Sequence, residues 1–233
     1  MKKTANYIFI ISLIVFFVVH PLHSVSAQTG GYVGVWGGYT IAPEASTYDN
    51  NDDWDHYYHD FDLDMNETWA VGVKIGYTHP QLRFLAMEFE YSYLNPDINR
   101  SVVDRYGSDY ATVTGDIKFN NFMFNIIAKY PHGVIHPYIG AGLGFSYIDI
   151  TATANEYSDT TTSASIGKDY TSFSWQILTG AEIDLAPNLS VDIGYRYFGT
   201  ELKFNNDINF DYGDSHDCYY TTNMLTAGLK LLF

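Results

Sequence analysis

The chain has 233 residues, 27 acidic against 12 basic side chains and a formal charge of −15. That sign excludes a nucleic-acid partner, because binding a phosphate backbone takes an excess of Lys and Arg. A single cysteine leaves no internal disulfide, and no run beyond the N-terminal segment approaches the roughly 18 apolar residues of a membrane helix, which excludes a helical membrane protein.

The N-terminus carries Lys2 and Lys3, an apolar stretch from Tyr7 to Val19, and then Val25-Ser26-Ala27 with small residues at cleavage positions. This is the pattern of a secretory signal peptide covering residues 1–27, cleaved near Ala27 after export through the Sec pathway. Losing Lys2 and Lys3 lowers the charge from −15 to −17. Residues 28–233, about 206 in number, fit one domain.

A period of two then recurs along the chain. After "YVGVWGGYTI" (32–41), "ETWAVGVKIGYTH" sets Trp69, Val71, Val73, Ile75 and Tyr77 against Ala70, Gly72, Lys74 and Gly76. "RFLAMEFEYSYL" sets Leu85, Met87, Phe89, Tyr91 and Tyr93 against Ala86, Glu88, Glu90 and Ser92. "IKFNNFMFNIIAKY" (117–130) alternates less cleanly, which suggests a bulge, and "PYIGAGLGFSYI" (137–148) follows. "SFSWQILTGAEIDL" and "NLSVDIGYRYFG" alternate again, placing Glu182, Asp192 and Arg196 on the less apolar face. "TTNMLTAGLKLLF" puts Leu225, Ala227, Leu229, Leu231 and Phe233 opposite Thr226, Gly228 and Lys230, giving eight strands in all.

Their connections alternate in length. His79-Pro80-Gln81-Leu82, residues 131–136 and Ala186-Pro187-Asn188 are tight turns, whereas about 42–66, 97–115, 152–170 and 203–220 read as long, polar, mostly acidic loops. Short turns on one side and long loops on the other fit an eight-stranded antiparallel up-and-down transmembrane β-barrel, all-β, with three periplasmic turns and four extracellular loops. Eight charged residues share the less apolar face: Lys74, Lys129, Arg196 and Lys230 with Glu88, Glu90, Glu182 and Asp192. Balanced in sign, they are expected to pair inside a narrow barrel, since an unpaired buried charge costs several kcal/mol. A first hairpin symmetric about residue 81 puts Lys74 opposite Glu88. The apolar face then meets outer-membrane lipid. Tyr39, Trp69, Tyr91, Tyr93, Tyr147, Trp175, Tyr195 and Tyr197 gather at the loop end of the strands, and Tyr77, Tyr130 and Phe233 at the turn end, as two interfacial girdles.

"PYIGAGLGFSYI", "GAEIDLAPNLSVDIGYRYFG" and the terminal "GLKLLF" resemble strands of the small eight-stranded outer-membrane barrels of the OmpA, OmpX and opacity type, over residues 30–233. The resemblance implies a monomeric protein of the Gram-negative outer membrane in contact with lipid and lipopolysaccharide. It implies that Phe233, with Leu231 and Leu229, is read by the barrel-assembly machinery. It also implies a structural or adhesive surface role, with an extracellular or host ligand bound by acidic, Tyr-rich loops.

Two other classes remain in view. A narrow channel or carrier of small hydrophobic molecules, of the OmpW type, is the alternative to a surface protein. Lipid A-modifying catalysis is weaker: Ser215 and His216 in "DSHD" (Asp214 to Asp217) are sequence neighbours, and His56, His59, His79, His132 and His136 fall in loops or turns, so no triad converges. No catalytic residue is assigned. The loop "YDNNDDWDHYYHDFDLDMNE" offers a cation set of Asp49, Asp52, Asp53, Asp55, His56, His59, Asp60, Asp62 and Asp64, with carboxylates for Ca²⁺ or histidines for Zn²⁺. No other cofactor is expected. Cys218 reads as an incidental loop residue.

Overall fold

In the computed structural model, residues 29–47, 62–106, 109–157, 162–203 and 217–233 are described, and every regular element among them is a β-strand. In chain order these are β1 (Gly30–Thr47), β2 (Asp62–Asp64), β3 (Trp69–Thr78), β4 (Leu85–Leu94), β5 (Asp97–Tyr106), β6 (Asp109–Lys129), β7 (Ile135–Tyr157), β8 (Thr162–Ala186), β9 (Leu189–Lys203) and β10 (Asp217–Leu232). The order β10-β9-β8-β7-β6-β4-β3-β1 is closed by pairing of β1 with β10, from Tyr32 opposite Leu232 upward. The result is an antiparallel barrel of eight strands with no free edge in the ring, the arrangement that satisfies every backbone group inside a bilayer. The signal peptide lies outside the described residues.

The first hairpin corrects the expected register. Lys74 faces Glu90 and Gly76 faces Glu88, so the turn is centred on Leu82 and not on residue 81. Leu82 N–H donates to His79 O (3.2 Å) and Leu85 N–H to Leu82 O (2.8 Å), and this local bonding lengthens the connection by two residues and so moves its centre by one. The bulge expected in 117–130 is also absent. β6 pairs with β7 without a shift from Tyr110 opposite Tyr157 to Lys129 opposite Tyr138. A register shift falls instead between Ile41 and Glu44 of β1, where Ala42 takes a left-handed φ of 46°.

The irregular alternation of β6 has another cause. Below Asn120 its outward residues are Phe122, Phe124 and Ile126 and its inward ones include Asn121, Asn125 and Lys129; above it, Ile117 and Phe119 point inward and fully buried while Lys118 points out. The apolar set changes face with no change in backbone phase. β7 does the same: Phe145 and Tyr147 face out and Ser146 in, and then Ile148 and Ile150 face in while Asp149 faces out. The barrel therefore has a lower storey that is apolar outside and polar inside, and an upper storey with the reverse.

Much of what the sequence suggests as loops builds the upper storey. Where β3 and β4 end, β2 pairs with β1 (Glu44 opposite Asp64) and β5 with β6 (Asp97 opposite Asp116), joined by a bridge between Met65 and Ile98. β8 and β9 pair only as far as Ser174 opposite Thr200. Above the ring, the strands thus form two facing sheets, β5-β6-β7-β8 and β2-β1-β10-β9. Met65, Ala45, Leu202 and Tyr220 pack against Ile98, Ile117, Phe119, Ile148 and Ile150 between them. Phe119 stacks on Tyr220 with centroids 4.6 Å apart.

Candidate functional site

All eight charged residues picked out by alternation face the interior. Arg196 on β9 makes a two-pronged contact with Glu90 on β4, through Nη1 to Oε1 and through Nη2 to Oε2 (2.8 Å). Lys74 donates to Asp192 at 2.6 Å and lies 3.6 Å from Glu88, so its closest carboxylate is across the barrel and not on the adjacent strand. Lys230 donates to Glu182 at 2.5 Å, with Lys129 at 3.6 Å from the same oxygen. Neutral donors complete the carboxylates: Tyr32 and Asn125 to Glu88, and Tyr138 to Asp192. A low-dielectric interior strengthens such contacts and penalises a missing partner. Here the pairing ties strands that are far apart in sequence.

The large side chains fit because glycine faces them. Trp36 and Tyr32 of β1 lie opposite Gly72 and Gly76 of β3, and a Cβ at either glycine would collide with the ring. The stems and rings complete the packing: Lys230 Nζ sits 4.0 Å over the Tyr32 ring, and the Arg196 guanidinium 4.0 Å over Trp36. Among the described residues the network leaves a cavity of about 20 Å³, enough for one water.

Above the ions runs a belt of neutral hydrogen bonds. Asn121 donates to Ser92 (3.2 Å), Ser146 to Asn121 (2.5 Å), and Ser174 to Thr200 (2.9 Å), with Ser146 and Ser174 2.5 Å apart. Ser92, Asn121, Ser146, Ser174 and Thr200 come from five consecutive strands of the ring. The apolar interior of the upper storey begins directly above.

At the opposite, turn end, sequence reasoning missed a buried group. His136 is not in a turn but on β7, 1% exposed. Its Nδ1 lies 2.9 Å from Tyr130 O and its Nε2 2.9 Å from Asp184 Oδ2, and Ser190 Oγ donates to Asp184 Oδ1 at 2.7 Å. Pro137 was the available signal, since a residue before proline favours extended backbone. Serine and histidine both address the aspartate and not each other, so the trio lacks the nucleophile-to-base contact of a hydrolase and acts as a cross-strand clasp.

The other sequence candidates divide. Phe233 lies at the turn-end rim, 77% exposed, its N–H donating to Gly31 O, with Leu229 and Leu231 of the same strand also facing outward. The two aromatic sets face outward, with Trp69 packed edge-on against Tyr39 at 5.1 Å. Of the cation set, Asp49, Asp52, Asp53, Asp55, His56, His59 and Asp60 lie outside the described residues, and Asp62 and Asp64 stand on β2. Asp214, Ser215 and His216 are also outside them. Cys218 falls on β10, opposite Thr47, and not in a loop. Among the described residues no group of His, Cys, Asp or Glu suits a metal.

A closed antiparallel barrel with an apolar belt, aromatic rims and an ionic interior defines a transmembrane β-barrel of outer-membrane type. The chain belongs to the outer membrane protein beta-barrel domain family, whose model matches residues 9–233. Among solved structures, OprG of Pseudomonas aeruginosa is similar at TM-score 0.53 and 14% identity, over 91% of this chain and 98% of that one. Neisserial surface protein A matches at TM-score 0.49 and 16% identity, covering 88% and 98%. Ail, the attachment invasion locus protein of Yersinia pestis, solved with a heparin analogue, matches at TM-score 0.38 and 15% identity, covering 87% and 99%. No curated protein matches the chain.

Proposed function

We propose that this protein is a non-enzymatic recognition scaffold of the Gram-negative outer membrane, closed to solutes and presenting its extracellular storey and acidic, Tyr-rich loops to a ligand outside the cell. One observation carries the reading: the interior is filled along its height, by ion pairs, then by the hydroxyl belt, then by packed apolar side chains. Eight strands enclose only enough space for such filling. What is left for function is the outer surface of a rigid platform. On this reading the chain is a monomer, exported through Sec with residues 1–27 removed and folded by an assembly machinery that reads Phe233. It sits among lipid and lipopolysaccharide and binds no nucleic acid. A Ca²⁺ or Zn²⁺ site in residues 49–64 belongs to the same proposal.

A carrier of small hydrophobic molecules is the second reading. It is favoured by the apolar interior of the upper storey, which reaches the flank where β8 and β9 part; there, the Phe119–Tyr220 stack would have to open. Planar-bilayer recordings and uptake of an apolar fluorophore into protein-loaded vesicles separate the two. The scaffold reading expects no channel openings and no uptake above protein-free vesicles. Uptake abolished by bulky substitution at Ile148 would establish the carrier instead.

A further inference from the structure

The clasp at the turn end has a hydrogen-bond count that does not close with neutral histidine. Both ring nitrogens of His136 face acceptors: Nδ1 lies 2.9 Å from Tyr130 O and Nε2 2.9 Å from Asp184 Oδ2. A carbonyl oxygen only accepts, and so does an ionised carboxylate, whereas a neutral imidazole carries a single N–H. With one hydrogen on the ring, one of the two contacts sets lone pair against lone pair. The other carboxylate oxygen, Oδ1, is taken by the Ser190 hydroxyl at 2.7 Å, from directly opposite in the β8–β9 hairpin. The trio therefore closes only with an additional proton between His136 and Asp184.

Charge leads to the same place. The eight residues of the ionic network sum to zero, four cations against four anions. Asp184, 2% exposed, is a ninth buried charge, and its ion pair is with His136. The other ionisable groups at this end are engaged elsewhere. On β8, Glu182 stands opposite His136 in the register but meets Lys230 of β10 and Lys129 of β6; on β9, Asp192 meets Lys74 and Tyr138. His132 is exposed in the adjoining turn with its ring against Tyr130, and Arg83 is exposed in the turn between β3 and β4. An imidazolium at 136 is what balances Asp184, since a buried charge without a partner costs several kcal/mol.

We propose that His136 and Asp184 form a proton-binding site that works as a latch on the periplasmic mouth of the barrel. With the proton bound, the ring joins the end of β6 to β8 and, through Asp184 and Ser190, to β9. When Nε2 gives its proton to water, Asp184 is left as an unpaired buried carboxylate, and water entering between the turns relieves it. The groups reached next are Glu182, Lys129 and Lys230, which line the one-water cavity. The closed form holds one proton more than the open form, so closure is favoured at low pH and lost as pH rises. The hydroxyl belt and the upper core are untouched, so release hydrates the lower interior without opening a path through it. The latch is independent of what the outer storey binds.

The test uses the full mature chain, ¹⁵N-labelled in lipid nanodiscs, from about pH 5 to about pH 9. Ring signals of His136, assigned through its backbone, report its hydrogens. Exchange of the Asp184 and Tyr130 amides, bonded to Val134 O and Pro137 O, reports closure after correction for intrinsic rates. Both ring nitrogens are expected to carry hydrogen at the acid end, and protection of the two amides to fall at least about tenfold as the second hydrogen is lost. Asp184→Asn, checked for folding by heat-modifiable gel mobility, supplies the contrast. Its amide donates to a neutral ring, so one hydrogen, on Nδ1, suffices and protection should no longer follow pH. If that variant does not fold, the wild-type ring and amides decide alone. A wild-type ring with a single hydrogen throughout overturns the proposal. So does a ring that loses its second hydrogen, or keeps it to the alkaline end, with protection unchanged. Protection that Asp184→Asn lowers at every pH, or leaves with the wild-type pH dependence, overturns it as well.

Discussion

The two storeys of this barrel are built by the same continuous strands and held by opposite means. In the lower storey the solvent for the outer face is lipid, so Val, Leu, Ile and Phe point outward and the interior is assembled from paired charges. In the upper storey the surroundings are water. The apolar residues turn inward and the core forms by hydrophobic burial between two sheets, as in a soluble β-sandwich. β6 shows that one strand serves both without a bulge: only the residue pattern changes, at Asn120 and Asn121. The surrounding medium, and not backbone geometry, dictates which face is greasy, and the level of the change marks the membrane boundary more sharply than strand ends do.

That contrast can be broken first at the ions. Glu90→Ala leaves the Arg196 guanidinium buried without its carboxylate and should cost about 3–5 kcal/mol in urea unfolding from thin bilayers. The double change Glu90→Leu with Arg196→Met should recover most of that loss. Additive losses would mean that the pair does not act as a unit. A second pair of variants addresses the medium itself. Phe124→Lys places a charge on the lower outer face and should cost about 2–4 kcal/mol, whereas Thr151→Lys, outward on β7 in the upper storey, should stay within about 0.5 kcal/mol. Similar costs at both sites would place the boundary elsewhere. The smallest expected effect has the opposite sign. Tyr220 is fully buried in the apolar core and its hydroxyl has no hydrogen-bond partner among the described residues, so Tyr220→Phe should stabilise the upper storey by about 1 kcal/mol, read as slower proteolysis of the extracellular hairpins. Faster proteolysis would mean that the hydroxyl has a partner, such as a bound water.

How far the sequence could be read follows from the same contrast. Strict alternation in 67–94 and 172–199 exposes both the strands and six of the eight charged residues, because a charge on an otherwise apolar strand has only one face to occupy. Partners were less legible. Lys74 meets Asp192 across the barrel, a contact set by closure and strand stagger that no single hairpin encodes, and the first turn gains two residues from bonding around Leu82. The upper storey reads as loops because its strands turn polar residues to water, so Thr, Asn and Asp in 97–116 and 149–171 resemble linker composition. The signal was nonetheless present: Ile117 and Phe119 are apolar at odd positions, Phe122 and Phe124 at even ones. His136 and Asp184 were hidden by position, one before a proline and one at a strand end, where pattern is shortest.

The inversion on β6 offers the most direct measurement. Nitroxide labels placed singly at 117, 118, 119, 122, 124 and 126, in the full chain reconstituted in bilayers, report exposure to oxygen, enriched in lipid, and to a water-soluble nickel chelate. Labels at 122, 124 and 126 should collide with oxygen and be shielded from the chelate, the label at 118 should show the reverse, and those at 117 and 119 should be shielded from both. A lipid-exposed label at 118, or labels at 117 and 119 open to the chelate, would contradict the two-storey account.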